Sequence, residues 1–242
     1  MPLYRDEAVV LRTHKLGEAD RIITLLTRQH GRVRAVAKGV RKTTSRWGSR
    51  LELFTHVDLQ LAEGRNLDVV TQAETLDPFA AGLGHDYERY TAGSVMLETA
   101  DRLVTEEKQP SVQQFLLLVG GLRAMTAGEH RPSQVLDSYL LRSLAVSGYA
   151  PSFDHCAGCG DPGPHRWFNP AAGGVLCPDC KLPGSAGPAT ETLVVLGALL
   201  AGEWPVVHAA EPRHLREASG LVAAFVAWHL ERGLRSLEYV ER

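Results

Sequence analysis

The stretch "EAVVLRTHKLGEADRIITLLTRQHGRVRAVAK", Glu7 to Lys38, holds three runs rich in β-formers, parted by turns at Gly17 and at His30-Gly31. In the last run Arg32, Arg34 and Lys38 share one strand face with Val36, and Val33, Ala35 and Ala37 take the other, because strand side chains alternate. Working outward, "LELFTHVDLQLAE" (Leu51 to Glu63) places Leu51, Leu53, Val57, Leu59 and Leu61 on a single face. The connection "EGRN" then leads into "LDVVTQAETL", Leu67 to Leu76. Short strands and short turns within the first 78 residues predict a small closed or nearly closed barrel, since closure removes exposed edges. An OB-type barrel leads. An SH3-like barrel or an open meander carries the same pattern.

Beyond Asp77-Pro78 the period lengthens. Asp86 to Glu107, Ser111 to Gly128 and Pro132 to Gly148 have helix-length apolar patterns with Gly and Pro punctuation. Near the end, Ala218, Leu221, Val222, Phe225 and His229 form a stripe at helical spacing, with His229 read as a core-edge histidine. The expected fold is α+β and multidomain: an N-terminal OB-type β-barrel followed by a helical bundle carrying a four-cysteine zinc module. The expected boundaries are 1–78 for the barrel, 79–150 and 187–242 for the two parts of the helical domain, and 151–186 for the module.

All four cysteines of the 242-residue chain, Cys156, Cys159, Cys177 and Cys180, lie in "CAGCGDPGPHRWFNPAAGGVLCPDC". C-x2-C, seventeen residues and a second C-x2-C is the spacing of a four-thiolate zinc site, one ion per chain. Disulfides need an oxidising compartment, and a redox C-x-x-C leaves one pair idle. Four sulfurs leave no position for water, so such an ion braces the fold and performs no hydrolysis. The zinc deaminase pattern is excluded by order and flanks: the one H-x-E begins at His229, after the cysteines, and neither pair follows a proline. There is no phosphate-loop or nucleophile-elbow motif, and G-x-G-x-x-G at Gly158 straddles a cysteine pair. With no nucleophile or general base to nominate, the reading is non-enzymatic.

Charge is unevenly placed. The chain is formally −2, yet Arg28 to Arg50 holds eight Lys or Arg and no acid, including Arg32, Arg34, Lys38, Arg41, Lys42, Arg46 and Arg50. Such a run suits local contact with a polyanion. Lys and Arg neutralise phosphates without reading sequence. Trp47, set among them, has two open readings: a platform for an unpaired base, or an anchor tucked beneath the loop. The longest apolar run, Thr192 to Gly202, is about half of the roughly 20 residues that cross a bilayer. The N-terminus lacks a secretory layout, so the expected location is the cytoplasm, without membrane contact.

G-E-x-D-R-I-x-T-L-x-T (Gly17 to Thr27) followed by H-G-x-x-x-A-V-A-K-G (His30 to Gly39) resembles the N-terminal region of the RecO DNA repair and recombination mediators, and the resemblance extends over nearly the whole chain. It implies an OB-fold N-terminal domain, a helical C-terminal domain and, in members that keep the cysteines, a zinc module. It implies binding of single- and double-stranded DNA, strand annealing, and help for RecA in replacing single-strand binding protein, in company with RecR. Two departures stand out: the loop Gly39 to Arg50 takes the place of the helix that many OB-folds put between strands three and four, and zinc ligation is not universal in the family. From the residues alone, an RNA-binding translation- or ribosome-associated protein, an enzyme with an unrecognised site, and a protein-binding scaffold stay open. The nucleic-acid contacts expected are Arg32, Arg34, Lys38, Arg41, Lys42, Arg46, Trp47 and Arg50.

Overall fold

Strand β1 (Leu3–Leu16) pairs antiparallel with β2 (Asp20–Thr27) along its second half and with β4 (Thr55–Ala62) along its first. The computed structural model describes residues 1–45, 47–230 and 234–240. Strand β3 (Gly31–Ala37) pairs with β2, β5 (Asp68–Pro78) pairs with β4, and β3 meets β5 in parallel at Ala35–Asp68 and Val36–Val69. The order β1-β2-β3-β5-β4 closes the barrel. This is the OB-type arrangement.

The alternation read from β3 is met. Val33, Ala35 and Ala37 point into the barrel with Ala8, Val10, Ile23, Leu25, Val57, Leu59 and Leu61, while Arg32, Arg34 and Lys38 face outward. One run differs. Leu51 is a core residue on a 3-10 turn (Gly48–Leu51), Leu53 is only half-buried, and β4 starts at Thr55. Phe54, with φ 65°, breaks the extended run between them.

The first half of β3 does not meet β5. The segment after α2 fills that gap: Lys108 N–H donates to the Arg32 carbonyl at 3.0 Å, and Glu107 bridges Arg32 in parallel. Gly31, at φ 62°, permits the approach, because a Cβ there would stand 1.7 Å from the Gln109 carbonyl oxygen.

The chain divides into two compact units, Met1–Glu129 and His130–Arg242. The first contains the barrel with α1 (Phe79–Leu83), α2 (Tyr87–Leu103) and α3 (Val112–Ala127). The stretch 79–150 is therefore shared between the units. The physical reason lies on the barrel's outer side, where Val9, Leu11 and Leu26 are buried where β1 and β2 meet α2 and α3. Burying such side chains stabilises by roughly 1.5–3 kcal/mol each.

The second unit packs α4 (Pro132–Val146), α5 (Thr190–Ala201) and α7 (Pro212–His229), with α6 (Trp204–Ala209) against α5. Pro132 and Pro212 sit in the first turns of α4 and α7, where a missing N–H leaves no intrahelical bond unmade. The apolar run expected to fall short of a membrane span forms α5. No helix among the described residues is long and apolar enough to cross a membrane. His229 packs its ring 4.4 Å from Phe225 and 4.8 Å from Tyr149, as a histidine at the edge of the α7 core does.

Candidate nucleic-acid interface and metal centre

The basic stretch divides in two. Its strand half is occupied by the protein's own carboxylates: Arg32 Nε donates to Asp101 Oδ1 at 2.8 Å, Arg34 Nε donates to Glu107 Oε1 at 2.6 Å, and Arg32 Nη1 lies 3.4 Å from the same Glu107 oxygen. Asp101 also holds Arg12 at 2.8 Å. The sequence placed these cations on one strand face, and α2 and the segment beyond it, residues distant in the chain, bring acids onto that face, where Arg32 is half-buried and Arg34 stays exposed.

The loop half differs. Lys38, Arg41, Lys42 and Arg50 are exposed, and Arg41 donates to the Gly17 carbonyl. Lys38 and Lys42 have no carboxylate partner among the described residues. The loop is tied to the barrel end by Gly39 N–H on Asp20 Oδ1 (2.7 Å) and Arg41 N–H on the Ala19 carbonyl (2.9 Å). Arg46 lies outside the described residues.

Trp47 is 3% exposed and belongs to the barrel core, its indole N–H donating to the Lys38 carbonyl at 2.9 Å. Of the two readings, the anchor stands and the stacking platform does not: neither ring face is open to a base. Sequence reasoning passed over Lys15. It is exposed opposite Arg21 at the tip of the β1–β2 hairpin, on the barrel end to which the loop is fastened. Its signal was the turn itself, which places hairpin-tip cations beside whatever loop caps that end.

In the second unit, hairpin β6 (Trp167–Asn169) and β7 (Gly174–Leu176) brings the two cysteine pairs together. The four sulfurs lie within 4.8 Å of one another, with Cys159 Sγ and Cys177 Sγ 3.9 Å apart. Four thiolates at about 2.3 Å from a tetrahedral ion stand about 3.8 Å apart, so the donor set fits a metal and is far too open for a disulfide. The Cys177 N–H donates to Cys156 Sγ at 3.3 Å, and this bond chiefly brings the Cys156 thiol down to about 6. Cys180 is pushed up to about 12, first by its contact with Cys177. Thiols crowded this way favour sharing a cation over holding several separate negative charges. Gly158 lets the two pairs approach closely, since a Cβ there would crowd Cys180 Cβ at 3.0 Å.

With barrel, loop and cysteine cluster placed, likeness to known chains becomes informative. Residues 1–79 match the family model described as Recombination protein O N terminal, and residues 84–238 match Recombination protein O C terminal. The chain belongs to the RecO family of DNA repair proteins. The N-terminal RecO match ends one residue past β5, so it covers the barrel alone. A DNA repair protein RecO from Nocardioides sp. is 77% identical over 99% of this chain and the whole of that protein. Those from Streptomyces avermitilis and Thermobifida fusca are 61% and 58% identical over the full length of both chains. These RecO proteins match the chain over all or nearly all of its length.

Proposed function

We propose that this chain is a recombination mediator that binds single- and double-stranded DNA, anneals complementary strands and, with RecR, helps RecA replace single-strand binding protein. The observation that carries the DNA-binding step is the exposed group Lys38, Arg41, Lys42 and Arg50 on the loop that caps an OB-type barrel. These side chains neutralise phosphates on one or two strands and lower the repulsion between them. Annealing then needs only proximity and charge neutralisation. No nucleotide is hydrolysed, and no group of the chain is assigned a catalytic role.

Zinc is the metal proposed for Cys156, Cys159, Cys177 and Cys180, because four sulfurs in a closed tetrahedral set suit that ion. It would hold the second unit's hairpin together and supply no reaction chemistry. RecR and single-strand binding protein enter as the partners that family membership supports.

The experiment is strand annealing of complementary oligonucleotides without nucleotide, comparing the parent with K38E/R41E/K42E. The parent should anneal, and the triple variant should lose most of that activity and bind unrelated sequences alike more weakly. With about four phosphates neutralised, log affinity for single strands should fall against log salt with a slope of roughly −3. Salt-insensitive binding, or a triple variant that anneals like the parent, removes this mechanism. Tighter binding to RNA than to the matched DNA strand would favour a translation-associated role instead.

A further inference from the structure

Two carboxylates face the cations of β3, and they differ in kind. Asp101 has a side chain only 6% exposed and bridges Arg12 and Arg32, each at 2.8 Å. Withdrawing it would strand buried charge, so no external anion exchanges with it. Glu107 is 38% exposed and meets Arg34 at 2.6 Å and Arg32 at 3.4 Å. Its head has water as an alternative partner and leaves at little cost.

The backbone beneath Glu107 is nonetheless fixed. Lys108, at φ 61°, donates its N–H to the Arg32 carbonyl and its Nζ to Glu63 and Asp68, at 3.2 and 3.3 Å. Gln109 sits against Gly31. The carboxylate is thus tethered at Arg34, and its release needs a rotation of one side chain without movement of the segment. A tethered group competes at high effective concentration even when its own contact is weak.

We propose that Glu107 is an exchangeable phosphate mimic: without DNA it occupies Arg34 and part of Arg32, and a backbone phosphate takes its place when a strand binds. The proposal rests on the DNA-binding reading above and extends its path. Arg34 lies on the outer face of β3 and Lys38 is the first residue past the strand's end, where the loop begins, so a DNA strand held by the loop continues along β3 to Arg34. The carboxylate weakens the hold of any ligand that presents too few phosphates to displace it. It also refills the site as a strand departs, which suits a protein that must release what it anneals.

The test uses full-length parent, E107Q, E107A, R34A and E107Q/R34A with a fluorescent oligothymidylate, titrated between about 50 and 300 mM salt. E107Q and E107A should each tighten binding by about fivefold at low salt, the scale of one exposed ion pair. Their salt slopes should steepen by roughly 0.7 for the phosphate newly neutralised. In E107Q/R34A the gain should vanish. Parent affinity and parent slope in both Glu107 variants, alongside weakened binding by K38E/R41E/K42E, would leave the DNA-binding reading intact and overturn the exchange. A gain that persists without Arg34 would overturn it too. Absence of binding by both the parent and E107Q would overturn the DNA-binding reading, and the exchange with it.

Discussion

The indole N–H of Trp47 donates to the main-chain carbonyl of Lys38 across 2.9 Å, fastening the far end of the basic loop to the end of β3. The ring lies in the barrel core with Val40 and Leu51. The loop therefore presents its described cations from a fixed base: Trp47 faces inward, and Lys38, Arg41, Lys42 and Arg50 are exposed.

Trp47→Ala should destabilise the first unit by about 3–5 kcal/mol, the usual cost of emptying a large aromatic site. Trp47→Phe keeps most of the volume and loses the bond to Lys38, so its cost should be nearer 1–2 kcal/mol. Denaturant unfolding measures both. Trp47→Phe protein, once folded, should bind single strands as the parent does; a selective loss of binding at full stability would restore the stacking role.

The two acids on β3 should separate in stability as well as in binding. Asp101→Asn removes a nearly buried carboxylate shared by Arg12 and Arg32, and should cost about 3 kcal/mol, the lower end for a broken buried pair. Glu107→Gln should change stability by less than about 1 kcal/mol. Equal melting shifts for the two variants would contradict the distinction drawn from their exposure.

Elemental analysis should find about one metal ion per chain, bound by Cys156, Cys159, Cys177 and Cys180. Cys177→Ser, or a strong chelator, should lower the melting temperature and open the remaining thiols to alkylation, because metal binding and local folding are linked. Metal-free protein with unchanged melting and protected thiols would show that the hairpin stands without an ion.

His229 gives the second unit a pH dependence. Burial holds its imidazole below the ordinary value, against a raising contact with the Pro170 carbonyl. A folded-state value depressed below the unfolded one means that the unfolded chain takes up protons first as pH falls. Its stabilising contribution is thus full above about 6.5 and is lost progressively below that value. Melting temperature should fall more steeply for the parent than for His229→Leu between about pH 7 and 5. Parallel curves would remove His229 as the cause.

The inward and outward faces of β3, the helix lengths after Pro78 and the cysteine spacing were all legible in the sequence, because each is a local regularity: alternation, helical period, ligand interval. The break at Phe54 was not, since an apolar residue at positive φ looks in sequence like one more strand position. Trp47 was legible only as an open choice between surface and core, which its indole contact across nine residues settles.

The sequence by itself determined where the cations are and that four cysteines can meet. Only the tertiary structure decided which cations stay open. Charge pairing depends on distance in space, and Asp101 on α2 and Glu107 in the segment beyond it reach Arg32 and Arg34 from about 70 residues away. No local pattern records that approach, so the strand arginines and the loop lysines read alike until the chain is folded.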